Sequence, residues 1–134
     1  MALVIDASGM IVALLGQSSQ AAALRQRLAT EVCHAPHLID AEVGNVLRRR
    51  VLRAGLAPAD AEALLQFSET LVDYRHQMTG ALARAAWVRR QNVTFYDALY
   101  LAVADTLALP LVTAGRRLAN APGLGCVIEL VGAV

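Results

Sequence analysis

The chain has no lysine, and all twelve of its basic residues are arginine. It therefore lacks the Gly-x-x-x-x-Gly-Lys loop of nucleotide-binding proteins and the lysine that a receiver domain needs beside its acidic residues. No strand is followed by Gly-x-Gly-x-x-Gly, and Ser8 follows Ala7 rather than standing in a Gly-x-Ser-x-Gly turn. These absences exclude nucleotide binding, receiver-type phosphotransfer and serine-hydrolase chemistry at Ser8.

Cysteine and long apolar runs are also scarce. Cys33 and Cys126 do not have the spacing of a zinc or redox pair, so we expect two buried structural thiols. The longest uncharged stretch, residues 7–24, contains glycine and polar residues from 16 to 20, which prevents it from crossing a bilayer as an apolar helix. Asp6 and the absence of a basic flank argue against a signal peptide. We expect no membrane contact and a cytoplasmic location.

The chain is rich in apolar residues. It has 134 residues, the size of one ordinary domain spanning 1–134. Its hydrophobic fraction is 57%, which is more than one small core can hide, so a homodimer or a bound protein partner is expected. The formal net charge is only +1. Any attraction to nucleic acid must therefore come from a local basic patch.

Apolar runs alternate with segments of helical periodicity, a pattern typical of a parallel α/β sheet. The helices 38–54 and 58–71 are expected to form a hairpin. The predicted strands are 2–5, 32–35, 71–74, 111–113 and 127–131, and the predicted helices are 9–15, 20–29, 38–54, 58–71, 79–90 and 95–107.

Three acidic residues stand in otherwise apolar stretches at predicted element ends or helix starts. These are Asp6 in LVIDAS, Glu42 in LIDAEVGNVL and Asp97 in TFYDALYLA. An ionised carboxylate in such a setting is costly unless a cation or hydrogen-bond donors compensate it. Oxygen ligands without histidine or thiolate favour Mg²⁺ or Mn²⁺ over zinc. The pattern therefore predicts one shared metal site.

Each acid also has a simpler interpretation. Thr94 stands three residues before Asp97, which approximates a helix capping box. Asp6 is a candidate N-cap of the first helix, although Ser8 looks better placed for that role. Glu42 is a candidate solvated helix charge, yet Asn45 shares its face and makes a small polar patch with it.

The other charged and titratable groups give weaker signals. His34, His37 and His76 do not have the spacing of a metal site, and the first two are expected at the surface or as caps near the second strand. The four arginines between 48 and 53 are most simply a solvated helix end. Arg116 and Arg117 follow the fourth predicted strand and adjoin the expected crevice, which makes them the better phosphate candidates.

Four motifs taken together resemble the PIN-domain ribonucleases, with the VapC-type toxins of bacterial toxin–antitoxin pairs most similar. They are VIDAS, AEVGNVLRR, TFYDALYLAVA and PLVTAGRRLA, and they occur in order along nearly the whole chain. The resemblance implies a three-layer α/β/α fold with a mainly parallel sheet of about five strands, to which the helical hairpin is added as a protrusion. It also implies a Mg²⁺- or Mn²⁺-dependent endoribonuclease toxin that cleaves RNA phosphodiester bonds and is inhibited by a cognate antitoxin.

Carried over by position, the resemblance assigns metal binding and catalysis to Asp6, Glu42 and Asp97. Polar neighbours in the second shell or at the substrate would be Ser8, Asn45, Thr113 and Arg116.

The chain departs from the family pattern at Gly115. The family usually has Thr-Ala-Asp before a basic pair, whereas this chain has Thr-Ala-Gly, so a fourth acid is missing. We expect one well-bound ion, weaker binding of a second ion, and lower activity than in a four-acid relative. The alternative is a catalytically weak PIN-like module that binds RNA or an antitoxin.

Overall fold

The computed structural model describes residues 1–123, 125–132 and 134. These residues contain one five-stranded sheet in which every pairing is parallel and the strand order is β3-β2-β1-β4-β5. The strands are β1 (Ala2–Ile5), β2 (Val32–Pro36), β3 (Tyr74–His76), β4 (Leu111–Thr113) and β5 (Ile128–Leu130). The predicted α/β class with about five parallel strands is confirmed.

In the described part of the chain, seven helices connect the strands. They are α1 (Ala7–Leu15), α2 (Ser19–Thr30), α3 (Leu38–Leu52), α4 (Pro58–Leu71), α5 (Ala81–Trp87), α6 (Phe95–Leu107) and α7 (Arg116–Ala119). Several begin at the residues expected from capping chemistry. Ser18 accepts a hydrogen bond from the Ala21 amide at the start of α2, Pro58 opens α4, and the Thr94 side chain caps α6.

The strand order determines which face each helix covers. The chain steps outward from β1 to β2 to β3, then returns past β1 to β4 and β5. Because parallel crossovers are right-handed, the helices before β3 lie on one face and α5 and α6 lie on the other, giving three layers. The direction of winding reverses between β1 and β4. Ligands of open parallel sheets bind at the carboxyl edge beside such a reversal.

The core lies on both sides of β1, whose residues Leu3, Val4 and Ile5 are fully buried. Helix α6 is enclosed more completely than a surface helix, since every residue from 98 to 104 is buried. Helix α6 packs against β1, β2 and β4 and also against α5. Its amino-terminal end is thereby held at the carboxyl edge of the sheet.

One glycine permits α1 to approach the sheet closely. A Cβ atom on Gly9 would lie 2.9 Å from the Val112 carbonyl oxygen and 3.0 Å from Ile5 Cγ1. No side chain fits there without displacing backbone. Gly9 therefore brings the first turn of α1 against the end of β4.

Helices α3 and α4 pack against each other as the predicted hairpin. Between them is a shallow apolar groove lined by Leu47, Val51, Leu52 and Leu65, with Arg48 and Glu62 at its border. Leu52 leaves 67% of its surface exposed. The described part of the chain therefore carries apolar surface on this hairpin that its own core does not cover.

The prediction for the third strand was wrong. Residues 71–74 were expected to form it because Leu71 and Val72 are apolar, but Leu71 ends α4 and the strand covers Tyr74–His76. It pairs only with β2, as the edge of the sheet. An edge strand half open to solvent needs no apolar alternation, so its Tyr-Arg-His sequence gives no strand signal.

Smaller differences occur at element ends. The α5 helix is shorter than the predicted 79–90, and α7 was not predicted because four residues give no periodicity. The prediction of buried thiols is confirmed for Cys33, while Cys126 is partly exposed. Over the described residues, no helix is long and apolar enough to span a membrane.

Replacing Gly9 by alanine is expected to lower the free energy of unfolding by about 1–3 kcal/mol, because the added methyl group overpacks the α1–β4 contact. The matched control is Gly44→Ala within α3, where the nearest atom to a new Cβ is Leu65 Cδ1 at 3.9 Å. That change is expected to stabilise the protein by about 0.5–1 kcal/mol through helix propensity. Urea denaturation measures both. Equal shifts of the same sign would contradict the close approach.

Candidate functional site

The three predicted acids line one cavity of about 300 Å³ at the carboxyl edge of the sheet. Asp6 reaches it from the end of β1, Glu42 from α3 and Asp97 from the first turn of α6. Asp6 and Glu42 are 36 positions apart in the sequence, and Glu42 and Asp97 are 55 positions apart. The fold brings all three to the point where the winding of the sheet reverses. The remaining lining residues are Ala7, Ser8, Tyr100, Gly115, Arg117 and Leu118.

Asp6 is the most enclosed of the three acids, with 7% of its surface exposed. Its Oδ1 accepts hydrogen bonds from Ser8 Oγ at 2.7 Å and from the Gly9 amide at 2.8 Å. Its Oδ2 accepts a hydrogen bond from Thr113 Oγ1 at the end of β4. These donors fix the orientation of the carboxylate and join β1, α1 and β4 through it.

The prediction that Ser8 rather than Asp6 is better placed to cap α1 was wrong. Asp6 is the N-cap residue and accepts the Gly9 amide, with the extended backbone typical of that position. Ser8 instead accepts the Ala114 amide at 2.9 Å and donates to Asp6. Capping and a functional role are therefore compatible for Asp6, since one oxygen caps the helix and the carboxylate still lines the cavity.

Thr113 extends the same network toward Gly115. Its Oγ1 accepts the Gly115 amide at 3.0 Å while donating to Asp6, and it lies 3.2 Å from Ser8 Oγ. Ser8 and Thr113 therefore stand beside the acids, as the resemblance implied. Their hydrogen bonds position Asp6.

Glu42 is held by a tyrosine that sequence reasoning missed. Tyr100 Oη donates to Glu42 Oε1 at 2.6 Å, and Tyr100 is itself 1% exposed. Burial raises the pKa of Tyr100, and its bond to Glu42 raises it further, so the phenol stays protonated and remains a donor. A signal was present in the sequence. Tyr100 follows Asp97 by three residues, which places both on one face of α6.

Asp97 has both the capping geometry and the site position that the sequence suggested. Its amide donates to Thr94 Oγ1 at 3.2 Å, which confirms the threonine half of the capping box. Its side chain lines the cavity together with Arg117. Burial raises the pKa of Asp97, whereas the hydrogen bond with Thr94 and the charge of Arg117 lower it in part.

Burial and neighbouring carboxylates disfavour the ionised form of Asp6 and Glu42. Burial raises the pKa of Asp6 first, its three hydrogen bonds lower it, and the charge of Asp97 raises it again. Burial also raises the pKa of Glu42, with further increases from Asp6 and Asp97 and a partial decrease from Tyr100. A cation in the cavity would remove this mutual repulsion.

The fit of a metal ion to the three acids can be tested on their arrangement and on the chemistry of their oxygens. Within 1–123, 125–132 and 134, no three His, Cys, Asp or Glu side chains converge closely enough to hold one ion by direct contact. Mg²⁺ usually keeps several waters and is bound by one or two carboxylates. The donor set is entirely oxygen, as a hard cation prefers. The chemistry of the donor set fits a hard divalent cation such as Mg²⁺, which Asp6, Glu42 and Asp97 would hold.

Two residues predicted beside the acids lie elsewhere. Asn45 is exposed and does not line the cavity, although it follows Glu42 on α3. Arg116 borders a different cavity, next to Gln20 and Gly132. Arg117 is the arginine that faces the acids. The Arg116–Arg117 pair in the sequence indicated a basic group beside the acids. Which of the two arginines faces the cavity depends on the direction of α7.

Gly115 occupies the position of the missing fourth acid and also lines the cavity. It is the N-cap of α7, with φ −85° and ψ 103°, and no side chain caps that helix. A Cβ atom would lie 3.3 Å from Thr113 Oγ1 and 3.8 Å from Leu118 Cβ. The backbone therefore accepts an aspartate there at the cost of a small adjustment of Thr113.

The histidines form a separate cluster at the β3 edge. His34 Nδ1 lies 3.0 Å from His76 Nε2, and the His34 ring stacks on Tyr74. His37 begins α3 without a side-chain capping bond. None of the three lines the acidic cavity.

Comparison with known proteins identifies the family. The PIN domain model matches residues 3–124. Ribonuclease VapC1 of Mycobacterium tuberculosis is 46% identical over 128 residues, which cover 96% of each chain. A crystal structure of VapBC2 from Rickettsia felis, bound to a DNA fragment from their promoter, aligns with a TM-score of 0.72 at 11% identity over 98% of this chain and 99% of that one.

A second solved structure has the same fold. It is VapC20 of Mycobacterium tuberculosis, described as a Sarcin-Ricin loop cleaving toxin, with a TM-score of 0.62 at 19% identity over 87% of this chain and 92% of that one. Together with the family model and the identity to VapC1, these findings confirm the resemblance of the four motifs. The chain belongs to the PIN-domain family and is related within it to the VapC ribonucleases.

Proposed function

We propose that this chain is a Mg²⁺- or Mn²⁺-dependent endoribonuclease that acts as the toxin of a toxin–antitoxin pair. The observation that carries the proposal is the convergence of Asp6, Glu42 and Asp97 in one cavity beside Arg117, where burial raises the pKa of each acid. Such a site favours a cation and, through it, a phosphodiester. The ribonuclease name of the 46%-identical VapC1 supports the same assignment. We place the activity in the cytoplasm, where a toxin encounters both cellular RNA and its antitoxin.

The three acids would hold the metal ion. When bound, a divalent ion lowers the pKa of a water molecule and neutralises negative charge that builds up on the phosphate. Ser8 and Thr113 keep Asp6 oriented, and Tyr100 keeps Glu42 from turning away. No histidine base is needed, in agreement with the position of all three histidines outside the cavity.

Arg117 would bind the substrate phosphate. Its guanidinium lowers the pKa of Asp97 in the free protein, and its planar donors match phosphate oxygens in bidentate geometry. Arg116 borders a separate cavity, so Arg117 rather than Arg116 is the proposed phosphate contact.

A protein partner would cover the groove between α3 and α4. Leu47, Val51, Leu52 and Leu65 form its apolar floor, and an amphipathic helix of an antitoxin buries such a surface by inserting its apolar face. The solved structure of VapBC-5 from Mycobacterium tuberculosis, a member of the VapBC family of toxin-antitoxin systems, shares this fold with a TM-score of 0.57, which supports a partner of this kind. A homodimer is a further expectation, based on the exposed apolar residues outside the groove.

Purified protein is expected to cleave a total small-RNA pool in the presence of Mg²⁺ or Mn²⁺ and to stop when a chelator is added. Asp97→Asn is expected to lower the rate on the order of a hundredfold, because stabilisation by a metal ion is worth several kcal/mol. The measurement is the initial rate of RNA cleavage on denaturing gels.

Asp60→Asn is the matched control, since Asp60 is exposed in the first turn of α4 and lies outside the cavity. It is expected to cleave at the wild-type rate. Cleavage that persists in chelator, or equal losses in the two variants, would overturn the proposed mechanism. A folded wild type that binds RNA without cleaving it would support the binding-only alternative.

Restoring the fourth acid with Gly115→Asp is expected to increase Mg²⁺ affinity on the order of tenfold, because a negative charge near the cation is worth about 1 kcal/mol or more. The cleavage rate should rise as well. Isothermal titration with Mg²⁺ measures the affinity.

Gly115→Asn is the matched control, since asparagine has the same size and can cap α7 but brings no charge. It should leave Mg²⁺ affinity unchanged. An aspartate variant that gains neither affinity nor rate would show that the three acids already suffice. Equal gains in both variants would assign the effect to the helix cap.

A further inference from the structure

The chain places half of its few aromatic residues at one exposed location. It has one tryptophan, three tyrosines and two phenylalanines. Trp87 ends α5, and Phe95 and Tyr96 begin α6. Their exposed fractions are 59%, 39% and 60%. Large aromatic side chains this open do not contribute to the core, so their position requires another explanation.

The aromatic residues are arranged around an arginine. The Trp87 and Phe95 rings meet edge to face, with centroids 6.5 Å apart and an interplanar angle of 64°. The guanidinium carbon of Arg90 lies 5.1 Å from the centroid of the Trp87 ring. Arg90 Nη1 also donates to the Trp87 carbonyl oxygen at 3.0 Å. The indole and the guanidinium are therefore held together as one unit.

This unit adjoins the acidic cavity. Arg90 and Thr94 line a second cavity of about 360 Å³. Three residues, Asp97, Arg117 and Leu118, line both cavities. An open path thus leads from Arg90, whose guanidinium lies over the Trp87 ring, past the start of α6 to the carboxylates. A polymer bound along it would have one unit on the indole while a neighbouring linkage reaches the acids.

The chemistry of the path matches single-stranded RNA. Arg90 and Arg117 stand against a single acid, Asp97, among the residues that line the second cavity, so the path attracts phosphate. Unpaired bases stack on aromatic rings and on arginine planes, whereas paired bases in a duplex are hidden. Gln91 and Asn92 line the same cavity and can donate to and accept from a base edge.

A second copy of this chain fits the same surface less well. A two-fold interface centred on Trp87 would place two copies of Arg90 opposite each other, because symmetric contacts pair a patch with itself. Two facing guanidinium groups repel. Binding of a polyanion to this surface involves no such repulsion.

We propose that Trp87 and Arg90 form a stacking subsite for an unpaired RNA base, from which the strand continues past Arg117 to the acidic cavity. This inference rests on the proposed ribonuclease function and adds to it a subsite outside the reacting centre, where an unpaired base is bound by stacking on Trp87 and Arg90. Phe95 supports the indole from its edge.

Because Trp87 is the sole tryptophan, its fluorescence reports on this subsite directly. A single-stranded oligoribonucleotide is titrated into the full-length protein with chelator present, which prevents cleavage. Stacking of a base on the indole is expected to quench the emission in a saturable manner. The same sequence in a perfect duplex is expected to leave the emission unchanged at matched concentration.

Affinity is measured separately with a fluorescently labelled oligoribonucleotide by anisotropy. Trp87→Ala is expected to weaken binding by roughly 5-fold to 100-fold, the range found when a stacking aromatic is removed. Trp87→Phe is expected to recover much of the loss, since it retains a ring. Tyr74→Ala is the control: Tyr74 is 58% exposed on the edge strand β3 and lies outside both cavities. It should bind as wild type does.

Unchanged affinity in Trp87→Ala, or losses of equal size in Trp87→Ala and Tyr74→Ala, would overturn the subsite. So would an unquenched indole together with a change from dimer to monomer in Trp87→Ala, which would assign the patch to contact between copies. Failure of the proposed function is distinguishable. In that case quenching and the affinity differences persist in chelator, while added Mg²⁺ produces no cleavage.

Discussion

The buried carboxylate of Asp6 is the interaction on which the rest of the site depends. It follows the central strand β1, caps α1 through the Gly9 amide, and receives the hydroxyl of Thr113 from β4. A single side chain therefore joins the two strands between which the winding of the sheet reverses. Three donors are needed because burial makes an ionised carboxylate costly at this position. The absence of a side chain on Gly9 lets these elements come close enough to supply them.

The fold places further negative charge around Asp6 and does not neutralise it fully. Glu42 and Asp97 enter the same cavity; the charge of Asp97 raises the pKa of both Asp6 and Glu42, and that of Asp6 raises the pKa of Glu42 further. Arg117 lowers the pKa of Asp97 in part, and Gly115 stands where the family pattern has a fourth acid. The cavity consequently favours an added cation without being as strongly negative as a four-acid site. Under the proposed function, this balance would favour one hydrated ion in the cavity and a phosphate beside Arg117.

Local chemistry in the sequence predicted the long elements and the three acids, but not the contacts between distant side chains. Residues 58–71 and 95–107 had clear starts at Pro58 and Thr94, and their bounds were predicted as observed. The third strand was misplaced because an edge strand lacks an apolar pattern. Tyr100 was overlooked because its role depends on its side chain meeting Glu42 of α3 at the edge of the sheet. The choice between Arg116 and Arg117 depends on the direction of α7, which no local pattern gives.

The central claim is that three carboxylates share one electrostatic site that a cation completes. The most direct test is to measure the pKa values of Asp6, Glu42 and Asp97 by carbon-detected NMR, with and without saturating Mg²⁺. Without the ion, all three should lie above the ordinary 3.8 of aspartate and 4.5 of glutamate, and Asp97→Asn should lower the other two. With Mg²⁺, which favours the charged forms, all three should fall together. Ordinary values that ignore both the ion and the substitution would contradict the account.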